Sequence, residues 1–281
     1  MTFGLIGYPL THSFSQPYFT EKFAQLGLAE SHLYRNFELA DISDFPAILK
    51  AHPDLRGLNV TIPHKTAVIP YLDYLDPDAA AIGAVNTILV DERGETTGFN
   101  TDVIGFKMDL VDFIDATLRP HRGSASTSRP AVDSEPGFYA VPNTPNGTDS
   151  APWIGWKALV LGTGGAAQAI HHVLEGMGIG AQAVSRHSGP NQLTYAEVSP
   201  AILADHRLVI NTTPLGMYPK INTYPELPYA YFAATHFCYD LVYNPAQTSF
   251  LRQAAARGAK TRSGLGMLHG QAEAAWAIWT R

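Results

Sequence analysis

The sequence predicts an α/β protein with two domains, of which the first is a mixed α/β domain and the second a doubly wound α/β domain. Strand and helix patterns alternate along both halves of the chain, which is typical of βαβ units around a mostly parallel sheet. The length of 281 residues suits two domains of ordinary size. Hydrophobic residues make up 46% and charged residues 16%, as in globular proteins and not in disordered ones.

The first hundred residues contain short apolar strand patterns separated by amphipathic helix patterns. Residues 84–100 predict a hairpin, because two strand patterns flank a turn at 92–94. A longer helix is predicted from Asp102 to about Leu118. The other predicted strands are 3–9, 34–39 and 58–62, and the other predicted helices are 17–28, 42–52 and a stretch that begins at 66–75.

Residues 119–153 differ in composition from the rest of the chain. More than half of them are Pro, Gly, Ser, Thr or Asn, and no apolar period is present. Such a segment buries too little apolar surface to offset its ordering entropy, so the sequence predicts a flexible insertion. A lid or a partner-docking loop is the alternative interpretation.

The second half begins with a strand, a glycine loop and an amphipathic helix at 156–178. Gly162, Gly164 and Gly165 allow the backbone to turn tightly and to approach a pyrophosphate, whose charge meets the helix N-terminus. The strand before the loop and the helix after it are the context that such a motif requires. We therefore predict a Rossmann-like nucleotide-binding domain, with a purely structural βα turn as the alternative. Further strands are predicted at 181–187, 208–214 and 237–244, and helices at 249–258 and 264–280.

The strand after the glycine loop indicates which nucleotide is bound. In NAD-binding domains a carboxylate about 20 residues beyond the first glycine takes the ribose 2′-hydroxyl. Here that position falls in 183–187, which contains Ser185 and Arg186 but no acid. Arginine beside a hydroxyl suits a 2′-phosphate, so NADP is favoured over NAD. A solvated surface arginine is the alternative.

Composition and charge exclude several classes of protein. The net charge of −6 and the lack of a basic block argue against nucleic-acid binding. Cys238 is the only cysteine, so neither a disulfide framework nor a cysteine-rich zinc site is expected. His12 and His64 show no metal-ligand spacing, and no metal is assigned. Because neither a signal peptide nor a membrane span is evident, we expect a cytoplasmic protein.

The segment LNVTIPHK, residues 58–65, combines an apolar strand pattern with polar side chains. Leu58, Val60 and Ile62 alternate on one side, and Asn59 and Thr61 on the other. An edge strand with a solvated face would explain this pattern, but the apolar residues indicate a buried strand. Unpaired polar groups would each cost about 1–3 kcal/mol there. We therefore interpret the polar side as the floor of a binding site, with Lys65 just beyond it.

The motifs together resemble those of the shikimate dehydrogenase family. They are GYPLTHSFSQ, LNVTIPHK, GAVNT, FNTDVIG, LGTGGAAQA, NTTPLGM, YDLVYNP and GLGMLHGQA, and they occur in the family's order over nearly the whole chain. The resemblance implies the NADPH-dependent, reversible reduction of 3-dehydroshikimate to shikimate in aromatic amino-acid (chorismate) biosynthesis.

The resemblance also implies roles for individual residues. Lys65 matches the catalytic lysine, and Asp102 is expected to orient the lysine together with a substrate hydroxyl. The matching substrate-binding residues are Ser13, Ser15, Asn59, Thr61, Asn86, Tyr243 and Gln271, with the two serines on the substrate carboxylate. The matching cofactor-binding residues are Gly162, Thr163, Gly164, Gly165, Ala166, Ser185, Arg186, Leu241 and Gly264.

The predicted domains follow from these assignments. A substrate-binding catalytic domain is expected at 1–102 plus 264–281, and an NADP-binding domain at 103–263. Members of the family often carry a second arginine where this chain has Pro190, so cofactor preference is a separate question. A quinate/shikimate dehydrogenase that uses NAD or NADP, a noncatalytic NADP-binding sensor and a methylenetetrahydrofolate dehydrogenase are the rival interpretations. A monomer and a homodimer both stay open.

Overall fold

The computed structural model describes residues 1–10, 13–119 and 151–281. These residues form two compact units, one of Met1–Gly105 with Leu268–Thr280 and one of Phe106–Met267 with Arg281. The boundaries predicted from the sequence were 102 and 264. Most of the predicted insertion at 119–153 lies outside the described residues.

The first unit contains a six-stranded mixed sheet with strand order β2-β1-β3-β5-β6-β4. Strand β1 is parallel to both of its neighbours, β2 and β3. Strand β5 is antiparallel to β6, as the predicted hairpin requires, and it is also antiparallel to β3. The elements of the first unit are β1 Thr2–Gly7, α1 Ser15–Gln25, β2 Leu33–Glu38, α2 Phe45–Ala51, β3 Leu55–Val60, β4 Tyr74–Leu75, α3 Pro77–Ile82, β5 Thr87–Val90 and β6 Thr96–Phe99.

The prediction of a helix that begins within 66–75 is wrong. The chain forms a single 3₁₀ turn at Ile69–Tyr71 and then strand β4, which pairs with β6. The Asp73 carboxylate accepts hydrogen bonds from the backbone nitrogen and the hydroxyl of Thr96, both at 2.8 Å. Pro70 cannot continue an α-helical ladder. The long-range pairing with Thr96 therefore prevails over the local helical pattern.

The two faces of the first sheet support separate cores. One face carries Ile6, Leu58, Val60 and Ile88, and the other carries aromatic residues around Trp279. The indole of Trp279 occupies the place where a side chain at Gly57 would stand, and its nitrogen donates to the Ile88 carbonyl at 3.0 Å. Trp279 therefore anchors the core on this face of the sheet.

Ile62 does not continue the apolar side of β3 as the alternation predicted. The strand ends at Val60, and Ile62 is 71% exposed. A turn begins here because the backbone nitrogen of His64 donates to the Thr61 carbonyl at 2.9 Å.

The second unit contains a six-stranded, fully parallel sheet with strand order β12-β11-β10-β7-β8-β9. The chain starts at β7, proceeds to β8 and β9, and then returns to β10 on the other side of β7. This reversal is the topological switch point at which doubly wound sheets bind ligands. The elements of the second unit are β7 Lys157–Leu161, α5 Gly165–Gly176, β8 Gly180–Ser185, β9 Gln192–Thr194, α6 Pro200–Asp205, β10 Leu208–Asn211, β11 Phe237–Asp240, α7 Ser249–Ala255 and β12 Lys260–Ser263.

Two helices contribute residues to both units. Helix α4, Thr101–Leu118, was predicted within one residue at its start, and α8 spans Leu265–Trp279. Within the described part of the chain, none of the helices combines the length and the apolarity that crossing a bilayer needs. The short elements β9, α6 and β12 were not predicted, because they carry too few residues for a periodic pattern.

Candidate active site

A row of polar side chains crosses one face of the first sheet near the carboxyl ends of its parallel strands. Asn59 on β3 lies in register with Leu5 on β1 and with Thr87 on β5. Because side chains alternate along a strand, Thr61 lies on the same side two residues later. The sequence-predicted polar face is therefore present.

Asn59 is buried, with 4% of its surface exposed, and its side chain is hydrogen-bonded at both ends. The phenol of Tyr34 donates to Asn59 Oδ1 at 2.7 Å. Asn59 Nδ2 lies 3.4 Å from the Thr87 hydroxyl and 3.5 Å from the Asn86 carbonyl. Tyr34 and Thr87 were not among the residues that the sequence predicted for the site. The alternation of β2 could have revealed Tyr34, since it places that residue on the same face as Asn59.

The two predicted carboxylate-binding serines lie in and directly after the loop that follows β1. Ser13 Oγ is buried and has no hydrogen-bond partner among the described residues. Ser15 is the first residue of α1 and is half-buried. An unpaired buried hydroxyl costs about 1–3 kcal/mol, so the Ser13 side chain is suited to a ligand that accepts its proton.

Lys65 and Asp102, which are 37 positions apart in the chain, form an ion pair with Nζ and Oδ2 separated by 2.7 Å. The side chains are 28% and 15% exposed, so solvent or a ligand reaches both. Asp102 lies in the first turn of α4, where the helix dipole favours a carboxylate. The backbone before Lys65 is held by the buried ring of His64, whose Nε2 is 2.6 Å from the Leu39 carbonyl.

Asn86 connects the asparagine row to the start of α4. Its Oδ1 accepts from the backbone nitrogen of Thr101 at 2.7 Å and from the hydroxyls of Thr101 and Thr87, each at 3.1 Å. These are the hydrogen bonds that the described residues make to the Asn86 side chain, and they all end on its oxygen. The amide nitrogen is thereby oriented as a donor.

The other two predicted substrate residues lie elsewhere in the chain. Gln271 is half-buried in α8, and its Nε2 donates to the Leu268 carbonyl at 3.1 Å. Tyr243 belongs to the second unit, in the loop after β11, and burial raises the pKa of its phenol. Among the described residues, no three His, Cys, Asp or Glu side chains form a metal-binding group.

The glycine loop of the second unit lies between β7 and α5, at the switch point. Gly162 has φ +113°, and a Cβ there would lie 2.7 Å from the Thr212 hydroxyl. Side chains at Gly164 and Gly165 would meet no atom within 4 Å. Thr163 is exposed and Ala166 half-buried beside them. The loop thus presents open backbone at the N-terminus of a 12-residue helix, which fits a diphosphate.

Ser185 is the last residue of β8, the neighbour of β7, and Arg186 follows it directly. Arg186 is exposed. Burial raises the pKa of the nearby Tyr195 phenol, and the positive charge of Arg186 opposes that rise. Farther along the sheet, a side chain at Gly264 would collide with the Leu241 carbonyl, so these two predicted cofactor residues are in direct backbone contact.

The chain is similar to known proteins over nearly its whole length. The family model of the shikimate dehydrogenase substrate binding domain matches residues 5–88. The NADP-dependent shikimate dehydrogenase of Carboxydothermus hydrogenoformans is 34% identical over 295 residues, which cover 99% of this chain and 90% of that protein. The chain belongs to the shikimate dehydrogenase family.

Solved structures of the shikimate dehydrogenase family share its two-sheet fold. The Thermus thermophilus enzyme in complex with NADP(H) and shikimate has a TM-score of 0.74 at 30% identity, covering 100% of this chain and 93% of that one. Quinate dehydrogenase from Corynebacterium glutamicum in complex with NAD has a TM-score of 0.77 at 24% identity, with 100% and 93% covered. At that identity the second likeness establishes the fold alone.

Proposed function

We propose that this chain is an NADP-dependent shikimate dehydrogenase that interconverts shikimate and 3-dehydroshikimate in the biosynthesis of chorismate and the aromatic amino acids. The observation that carries the proposal is the Lys65–Asp102 ion pair of 2.7 Å, in a chain that belongs to a family whose members are named for this reaction.

The first unit supplies the substrate residues in this proposal. Ser13 and Ser15 donate to the carboxylate, and the unpaired Ser13 hydroxyl supports this assignment. The amide nitrogen of Asn86 donates to a substrate hydroxyl, since its oxygen is already saturated by Thr101 and Thr87. We also assign Asn59, Thr61 and Gln271 to the substrate.

The second unit supplies the cofactor residues. The open backbone of the glycine loop and the N-terminus of α5 suit a diphosphate, and the exposed Arg186 with Ser185 suits a 2′-phosphate. We assign Leu241 and Gly264 to the nicotinamide end of the cofactor, and Tyr243 to the substrate. When bound there, NADP would supply the hydride acceptor for oxidation of the substrate, and NADPH the hydride donor for reduction.

Lys65 handles the proton in the proposed reaction. During oxidation of shikimate, Nζ in its neutral amine form accepts the proton of the reacting hydroxyl as that carbon becomes a carbonyl, and the ammonium that results is the one that pairs with Asp102. In reduction the same nitrogen gives the proton back to the carbonyl oxygen. Asp102 acts by holding Nζ through the 2.7 Å hydrogen bond, and it also orients a substrate hydroxyl.

The proposal also covers the location, the partners and the oligomeric state of the enzyme. We propose a cytoplasmic enzyme that acts on small molecules and not on nucleic acid, as a monomer or a homodimer. The net charge of −6 supports the exclusion of nucleic acid.

A spectrophotometric assay of the purified chain with shikimate or quinate and with NADP or NAD tests the proposal. Shikimate-dependent reduction of NADP is expected to be the most efficient of the four combinations. Efficient turnover of quinate with NAD would favour a quinate dehydrogenase. Binding of NADP without turnover of either acid would favour the noncatalytic sensor.

A further inference from the structure

A loop at 186–191 joins β8, which ends in Ser185, to β9, which begins with Gln192. The backbone of Gln192 is held by the pairing of β9 with β8. Its side chain turns back into the loop, where Nε2 donates to the His187 carbonyl at 2.9 Å. The backbone nitrogen of His187 donates to the Ser185 hydroxyl oxygen at 3.4 Å. His187 thus connects Gln192 to Ser185, and Arg186 lies between the two linked residues.

Gly189 leaves the space that the Gln192 side chain occupies. A Cβ at Gly189 would lie 2.3 Å from Gln192 Nε2 and 2.8 Å from its Cδ. The far end of the loop is held separately, because Gln182 Nε2 donates to the Asn191 carbonyl at 2.8 Å. The Gln192 amide therefore fills the inside of a loop whose two ends are both fixed.

The two residues before His187 are left with donors for an anion. The Ser185 oxygen accepts from the His187 nitrogen, so the hydroxyl keeps its own proton for another acceptor. Arg186 is exposed and forms no ion pair within the part of the chain that the structure describes. A hydroxyl donor next to an uncompensated guanidinium suits a phosphate monoester.

We propose that Gln192 is a positioning residue for the 2′-phosphate of NADP, because its amide fixes His187 and thereby the backbone of Ser185 and Arg186. The inference rests on the proposed function and deepens it by naming a residue that sets the preference for NADP over NAD. NAD has a hydroxyl in place of that phosphate, so the effect of Gln192 is confined to NADP.

The variant Gln192→Met tests this role, because it keeps the length of the side chain and removes the amide. Titration is expected to show a Kd for NADP that is about three- to tenfold higher, and a Kd for NAD within about twofold of the wild type. The matched control is Gln25→Met, which loses a 3.0 Å amide hydrogen bond to Glu21 in the first unit and should change neither value. Equal losses for both nucleotides in Gln192→Met indicate a merely structural role and overturn the inference.

The variant Gly189→Ala reaches the same amide from the opposite side. Its methyl group displaces the end of the flexible Gln192 side chain, so the melting temperature should stay close to that of the wild type. We expect the same selective loss of NADP affinity, with little further loss when Gly189→Ala is combined with Gln192→Met. Full additivity of the two substitutions, or a wild-type ratio of the two affinities in both single variants, overturns the inference.

Arg186→Ala distinguishes failure of this inference from failure of the proposed function. A selective loss of NADP affinity in Arg186→Ala but not in Gln192→Met overturns the role of Gln192 alone. A wild-type chain that binds NADP and NAD equally well overturns the proposed NADP dependence, and the inference with it.

Discussion

The backbone nitrogen of Thr101 lies 2.7 Å from Oδ1 of Asn86. The first residue of α4 therefore holds the oxygen of that amide and leaves its nitrogen as the donor. Two hydroxyls, from Thr101 and Thr87, reinforce the same orientation at 3.1 Å. The adjoining residue of α4 is Asp102, the partner of Lys65. One helix start therefore orients both the amide and the ion pair.

Replacing Asn86 with Asp tests the importance of this orientation. The carboxylate can still accept from Thr101, but it presents an acceptor and a charge where the amide presented a donor. We expect kcat/KM for shikimate to fall about 10²–10³-fold, with the KM for NADP unchanged. Asn222→Asp makes the same change of charge at an exposed position of the second unit and is expected to behave as wild type. A loss below threefold in Asn86→Asp would exclude a donor role for this amide.

Two glycines of the 162–165 loop are expected to respond differently to alanine. Gly162→Ala forces a Cβ onto a backbone with φ +113° and against the Thr212 hydroxyl, so we expect a loss of about 1–3 kcal/mol in unfolding free energy. Gly165→Ala meets no protein atom within 4 Å and leaves stability unchanged. Its methyl group stands where a diphosphate approaches, so NADP affinity falls at least about tenfold. Thermal melts and NADP titrations of both variants measure these effects, and wild-type affinity in Gly165→Ala would argue against this cofactor site.

Arg186 is expected to distinguish NADP from NAD. Arg186→Ala removes a cation that suits the 2′-phosphate, so NADP affinity should fall about tenfold or more while NAD affinity changes less than about twofold. Arg186→Lys keeps the charge but loses the planar fork, and an intermediate affinity is expected. Equal losses for both nucleotides in Arg186→Ala would show that this side chain does not bind the 2′-phosphate.

Asp240, at the carboxyl end of β11, is expected to make stability depend on pH. Burial raises the pKa of Asp240 to about 6, against the opposing effect of hydrogen bonds from Thr248, Val242 and Asn211. Since the unfolded carboxyl titrates near pH 3.9, the folded protein binds more protons between these values. The resulting stabilisation is complete below about pH 4 and is lost as the pH rises through about 6.

Asp240→Asn removes this titration. Between pH 4 and 7 the unfolding free energy of the wild type should fall by roughly 2–3 kcal/mol relative to that of the variant. Urea unfolding of both proteins at the two pH values measures the difference. Parallel pH profiles would show that Asp240 titrates at the same pH in the folded and unfolded chains.

Much of the fold was predictable from local patterns. Short apolar runs located β1 and β7, alternating apolar residues located β3, and the start of the helix near Asp102 was correct within one residue. The fold prediction failed where a distant partner decides the conformation, as at Asp73, which pairs with Thr96 instead of continuing a helix. Ile62 likewise follows the end of β3 into a turn, which periodicity alone does not reveal.

The candidate site was predictable in its residue types but not in its connections. The sequence motifs predicted Lys65 and Asp102 as site residues, and the structure brings the two side chains together. No local pattern pairs Tyr34 with Asn59, or Thr101 with Asn86, because these hydrogen bonds depend on strand register and on where α4 begins. The residues that orient a site were therefore harder to find than the residues expected to face the ligand.

The turnover of Lys65→Ala, measured together with its affinity for shikimate, tests the proposed chemistry most directly. Lys50→Ala, at an exposed position of α2, is the matched control. We predict that kcat of Lys65→Ala falls about 10²–10⁴-fold, since the group that moves the proton is lost, while the calorimetric Kd for shikimate stays within about threefold. A kcat close to that of the wild type would contradict the assignment of Lys65 as the acid and base.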